Sequence, residues 1–180
     1  RSIRTIYENC RFIVVVRDPR DIYTSLKAIA ERKQTGLAAP SFKPDITAVR
    51  YVFENPGKNV VAYSKARKDN LGSENCLFIR YEDLVSDVSG EMRKVAKFLG
   101  INFSEILCRP TTFGNLWRGN ASSMDDFGGV SAERTAKWVS ALTRREIQIL
   151  EYYFWDYLGD NNYERPVVRH SRTSTVKNIV

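Results

Sequence analysis

RFIVVVRDPRDIYTSLKAI, residues 11–29, joins a short apolar run to a helix through an arginine, and that junction sets the fold. The run Phe12 to Val16 is too short for a helix and β-branched from Ile13 onward. It reads as a strand covered on both faces, of the kind that pairs in parallel near the centre of a sheet. Asp18 stands where it can cap a helix whose first residue is Pro19, with Ile22, Leu26, Ile29 and Ala30 turned inward. Free backbone amides and the positive end of a helix dipole meet at such a junction. Arg17 lies at the carboxyl end of the strand, where open α/β sheets bind ligands, and its planar, permanently charged fork suits a phosphate monoester. Ser25, about two helical turns further on, offers a hydroxyl donor. The same letters allow a second reading, in which Arg17 pairs with Asp18 or Asp21 and Ser25 faces solvent.

Outward from this junction, a helix stops near Gly36, and Pro40 and Pro44 punctuate a loop. Asp45 or Thr47 opens another helix carrying Ala48, Val49, Tyr51, Val52 and Phe53, and a further helical stretch follows Asn55-Pro56-Gly57. A second strand spans Cys76 to Arg80, and Ser86 or Asp87 caps a helix bearing Val88, Met92, Val95, Phe98 and Leu99 that Gly100 stops. Residues 101–130 read as loop. The last helix opens on a capping box, Thr143 with Glu146, and continues through Tyr157 and Leu158 along an aromatic face that belongs to a core rather than to base stacking. Strands separated by helices imply parallel pairing with helices on the faces.

Net charge is +7, but residues 34–163 balance at 16 basic against 16 acidic groups, so the surplus sits at the two ends. That suits an anionic ligand near Arg17 and a solvated basic tail over residues 164–180; without a readout motif it does not indicate nucleic-acid binding. Cys10, Cys76 and Cys108 are widely spaced and odd in number, which indicates buried thiols rather than a disulfide framework or a zinc site. The single histidine, His170, removes histidine-based triads and multi-histidine metal sites. No apolar run reaches membrane-spanning length.

VVVRDPRDIYTSL resembles the 3′-phosphate-binding segment of sulfotransferases that use 3′-phosphoadenosine 5′-phosphosulfate (PAPS): an apolar strand, Arg, Asn or Asp, Pro, then Ser eight residues beyond the Arg. Two further blocks follow in order. LFIRYEDLVSDVSGEMRKVAKFLGI (77–101) resembles the family's strand, Tyr-Glu-Asp-Leu turn and helix. PTTFGNLWRGNASS (110–123) with VSAERTAKWVSALTRREIQILEYYFWDYLGDNNY (130–163) resembles its bacterial branch. The resemblance implies a P-loop-NTPase-like α/β fold, a parallel sheet flanked by helices, with residues 1–163 forming the carboxyl-terminal part of one domain. It implies that Arg17 and Ser25 bind the 3′-phosphate of PAPS and that Tyr81 lies by the adenine. It further implies that Trp117, Arg118, Gly119 and Asn120 form a loop closing over the phosphate, and it puts Lys137 near the cofactor. Trp138 reads better as a core anchor, and Glu82 and Asp83 as a structural turn than as a catalytic pair.

Sulfuryl transfer requires an acceptor to be deprotonated and oriented and charge on the leaving phosphate to be stabilised; no metal is needed. No Gly-rich phosphosulfate loop precedes Arg17, so the expectation is a segment that reads the nucleotide end of the donor, with the catalytic base lying upstream. The acceptor, whether small molecule, carbohydrate or protein, stays open, and a cytoplasmic location is favoured for this segment. Two alternatives stand beside this reading: a P-loop kinase fragment, and a noncatalytic nucleotide-binding or interaction module.

Overall fold

The computed structural model describes residues 10–34, 44–54, 57–60, 63, 67, 74–117 and 130–166. The chain divides into two compact units, one made of residues 1–17 and 71–135, the other of residues 18–70 and 136–180.

In the first unit, β1 (Phe12–Val16) pairs in parallel with β2 (Cys76–Arg80), Phe12 opposite Cys76 and Val16 opposite Arg80. Both strands fall where the sequence puts them. The expected burial of both faces does not follow: Val16 is buried, but Ile13 is 41% and Val15 52% exposed. Alternation along a strand sends these two side chains to one face, and no described element covers it.

Directly after β2 the chain enters α3 (Tyr81–Ser86) and then α4 (Val88–Leu99); α1 (Pro19–Gln34) and α2 (Pro44–Phe53) belong to the other unit. Asp87 caps α4 by accepting from the Gly90 amide at 2.9 Å, and Gly100 ends it in the left-handed region, φ 72°. Val95 and Ala96 supply the buried side of α4, and Arg11 fastens its last turn by donating to the Phe98 carbonyl at 2.8 Å.

The stretch read as loop contains a hairpin, Thr111–Thr112 against Asn115–Leu116. Its two-residue turn puts both Phe113 and Gly114 at positive φ, the primed geometry that matches strand twist. Cys10, Cys76 and Cys108 are free and half-buried, more open than expected.

The second unit is helical: α1 (Pro19–Gln34), α2 (Pro44–Phe53), α5 (Trp138–Ala141), α6 (Arg144–Tyr153) and α7 (Trp155–Asp160). Residues 57–60, 63 and 67 are also helical. Tyr23, Ala48, Leu150, Phe154 and Leu158 are almost wholly buried, with Tyr51 packed between Tyr23 and Phe154 at centroid distances of 5.4 and 6.0 Å.

The inward face of α1 differs from the apolar stripe expected: Leu26 is 39% exposed, whereas Arg20, Asp21 and Tyr23 are buried. Polar groups can take that face because each finds a partner. Arg20 donates to Asp18 through Nε at 3.0 Å and Nη2 at 2.7 Å, and to Glu151 through Nη1 at 2.8 Å. Asp18 also accepts from the Arg20 amide at 2.9 Å, so it caps α1 as the sequence implied. The last helix, read as continuous, bends at Phe154 (φ −102°, ψ 17°) and resumes as α7. Residues 167–180 lie outside the described residues; ahead of them Arg165 stacks on Trp155 at 4.1 Å.

Glu146 is fully buried and closes the capping box with Thr143, while accepting from Tyr23 Oη at 2.8 Å and Lys27 Nζ at 3.0 Å. Burial alone pushes its carboxyl up, but the bonds from Thr143, Lys27 and Tyr23 outweigh it and hold the group below the ordinary glutamate range. A depressed folded value gives stability that is complete above the unfolded value, about 4.3, and is lost as pH falls through the folded one. Glu146→Gln should therefore unfold at lower urea than the wild type at pH 6, by about 1–3 kcal/mol, with the gap closing toward pH 3. A gap that stays constant over that range would contradict the assignment.

Candidate functional site

The register of the parallel pair builds this region. Val16 opposite Arg80 leaves Arg17 and Tyr81 as the next residues at the carboxyl ends of neighbouring strands. There the Arg17 guanidinium carbon lies 4.5 Å from the centre of the Tyr81 ring. Both side chains are half-buried, so the ring's negative face meets a cation partly withdrawn from water. The result is a permanent positive charge held against a flat aromatic surface at a strand end, an arrangement suited to a phosphorylated ring compound.

Arg80 lies 3.9 Å from Asp83 in the first turn of α3, and the Asp83 carbonyl accepts from the Asp87 amide at 2.9 Å. Tyr81, Glu82 and Asp83 form the first turn of α3. Trp117 is 43% exposed just beyond the hairpin, its amide donating to the Pro110 carbonyl at 2.9 Å. Arg118, Gly119 and Asn120 lie outside the described residues.

Ser25 belongs to the helical unit, exposed on α1, with its hydroxyl donating to the Asp21 carbonyl at 3.1 Å. Asp18 pairs with Arg20, and Asp21 accepts from the amides of Ala136 at 2.7 Å and Trp138 at 3.1 Å. This Asp21 bridge was missed at the level of sequence, because nothing local marks a contact spanning more than a hundred residues. Trp138 is buried beneath Arg20, 3.8 Å from its guanidinium carbon, which makes it a core anchor.

Among the described residues no helix is long and apolar enough to cross a membrane, and no group of three acidic, histidine or cysteine side chains gathers to hold a metal ion.

A small parallel sheet followed by helices, with a cation at the strand ends, places the chain among mixed α/β proteins. The model of the sulfotransferase family matches residues 1–105. The chain belongs to that family. A protein-tyrosine sulfotransferase of Drosophila melanogaster is 26% identical over 145 residues, 76% of this chain and 27% of the relative. The crystal structure of a mouse sulfotransferase complexed with PAP aligns with a TM-score of 0.55 at 18% identity, covering 89% of this chain and 62% of that one. A sulfotransferase domain from the curacin biosynthetic pathway aligns at 0.49 and 20% identity, over 88% and 55%. The chain thus spans about a quarter of the fly relative and under two thirds of each solved structure. At such identity the likeness to the mouse structure establishes a shared fold.

If the Arg17–Tyr81 contact is energetic as well as geometric, a double-mutant cycle will register it. Arg17→Met and Tyr81→Ala should show a coupling of about 0.5–1 kcal/mol in urea unfolding, largely retained when Tyr81→Phe replaces Tyr81→Ala. Strict additivity of the two substitutions would remove the interaction from the account.

Proposed function

We propose that this chain carries the nucleotide-recognising part of a sulfotransferase that draws its sulfuryl group from PAPS. The observation that carries the reading is Arg17, at the carboxyl end of β1 with its guanidinium over the Tyr81 ring, inside the motif that resembles the family's 3′-phosphate segment. The chemistry suits the group: a guanidinium that cannot deprotonate donates two parallel hydrogen bonds to a doubly charged phosphate, and an aromatic face beside it suits a purine.

In this reading Arg17 neutralises the 3′-phosphate, the motif gives the Ser25 hydroxyl the same ligand, and Tyr81 lies by the adenine. Trp117, Arg118, Gly119 and Asn120 form the loop over the phosphate, and Lys137 contributes a further cation. Bound PAPS supplies an activated sulfuryl group; these residues bind and orient its nucleotide end, and they are not the base that activates the acceptor. Residues 1–163 then form the carboxyl-terminal part of one P-loop-NTPase-like domain, with residues 164–180 as its basic tail. For the acceptor, the likeness to the fly protein-tyrosine sulfotransferase favours a tyrosine hydroxyl on a protein over a carbohydrate.

Adenosine 3′,5′-bisphosphate (PAP) should bind the chain in a calorimetric titration. Arg17→Ala should weaken that binding at least about tenfold, the loss expected when a charge-assisted hydrogen bond worth about 1.5–3 kcal/mol disappears. Equal affinity in a folded Arg17→Ala protein would refute the assignment.

A further inference from the structure

Phe113, at the apex of the Thr111–Leu116 hairpin, is the most exposed of the large apolar residues described, 99% open to solvent. It differs from an ordinary surface aromatic. Phe53, 54% exposed, still packs edge-on against Tyr153 at 5.2 Å, whereas the Phe113 ring makes no such contact among the described residues. The backbone beneath it is strained as well. Phe113 and Gly114 form the two-residue turn, with φ 49° and 80°. Glycine takes that geometry freely; at the first position asparagine or aspartate is the residue that suits, and a bulky aromatic there is an outlier held against its own preference.

A ring kept at a turn apex despite full exposure and backbone strain has its use outside the folded chain. Its surroundings indicate what meets it. Residues 106–124 contain no Asp or Glu, and exposed Arg109 stands at the foot of the hairpin beside Pro110, whose carbonyl accepts from the Trp117 amide at 2.9 Å. Trp117, 43% exposed, adds an indole at the same foot. An aromatic apex backed by an amphipathic indole and a cation matches the layers of a bilayer surface, from the acyl boundary out to the anionic headgroups. A protein partner demands more: roughly 800 Å² on each side, against the 150–250 Å² or so that one phenylalanine buries. A bilayer accepts a single ring without shape complementarity.

We propose that this hairpin docks the chain on an anionic phospholipid surface, with Phe113 entering the boundary between headgroups and acyl chains and Arg109 facing the lipid phosphates. Docking of this kind needs no spanning helix. It draws on the sheet unit alone and is independent of which nucleotide the strand ends bind.

The test is co-sedimentation of the full chain with mixed vesicles of phosphatidylcholine and phosphatidylserine, set against vesicles of phosphatidylcholine alone. The wild type should sediment with the mixed vesicles and more weakly with the neutral ones. Phe113→Asn should weaken partition about tenfold, the loss expected when a buried ring is removed. Its urea midpoint should hold or rise, because Asn-Gly is the pair this turn prefers. Arg109→Gln should weaken partition about fivefold, one cation's share at an anionic surface. Phe113→Trp should keep the binding, and the emission of its added indole should shift to the blue on mixed vesicles. Equal sedimentation of wild type and Phe113→Asn would assign the binding to the basic end of the chain, residues 164–180, and overturn the proposal. Failure of the wild type to bind either vesicle would overturn it too, and self-association lost in Phe113→Asn would then give the ring to a second copy of the chain.

Discussion

A buried guanidinium organises the helical unit. Arg20 is 1% exposed, and its donors are divided between Asp18, at the start of the same helix, and Glu151, on α6. Its flat face lies on Trp138 at 3.8 Å. Taking three such charges out of water costs several kcal/mol per ion before their mutual attraction is counted, so the cluster adds little net stability. Its effect is geometric. The hydrogen bonds can be satisfied in only one arrangement of α1, α5 and α6, and truncating Arg20 would leave two carboxylates buried without compensation. Asp18 serves twice, as the cap of α1 and as a partner of Arg20, which ties the start of the helix to the core beneath it.

The sheet unit is governed by register. A parallel pair aligned with Val16 opposite Arg80 brings the two residues that follow, Arg17 and Tyr81, to the same end. A slip of one position would exchange the faces of every strand side chain and separate the cation from the ring.

What the sequence revealed, and what it hid, follows from the range of the interactions. Phe12 to Val16, Cys76 to Arg80, the Asp87 cap, the Gly100 stop and the Thr143–Glu146 capping box all rest on contacts within a few residues, and all were legible. The inward face of α1 was not, because Arg20 and Asp21 violate the apolar pattern, and the partners that allow it include distant ones, Glu151 and the Ala136 and Trp138 amides. The exposure of Ile13 and Val15 was hidden for the opposite reason: apolarity shows that a face tends to be covered, not that the covering element lies among the described residues. Of the site, the arginine and the spacing to Ser25 could be read from the motif, whereas the stacking of Arg17 on Tyr81 depends on register and could not.

The central claim is that this sulfotransferase-family chain reads the 3′-phosphate of its donor nucleotide. Thermal unfolding of the chain with saturating PAP and with adenosine 5′-phosphate, which lacks only that group, tests it directly. Ligand that binds the folded state alone raises the midpoint in proportion to its affinity. The account predicts a rise of several degrees with PAP and little or none with adenosine 5′-phosphate. Equal shifts with the two nucleotides, or a larger one with ATP than with PAP, would contradict it.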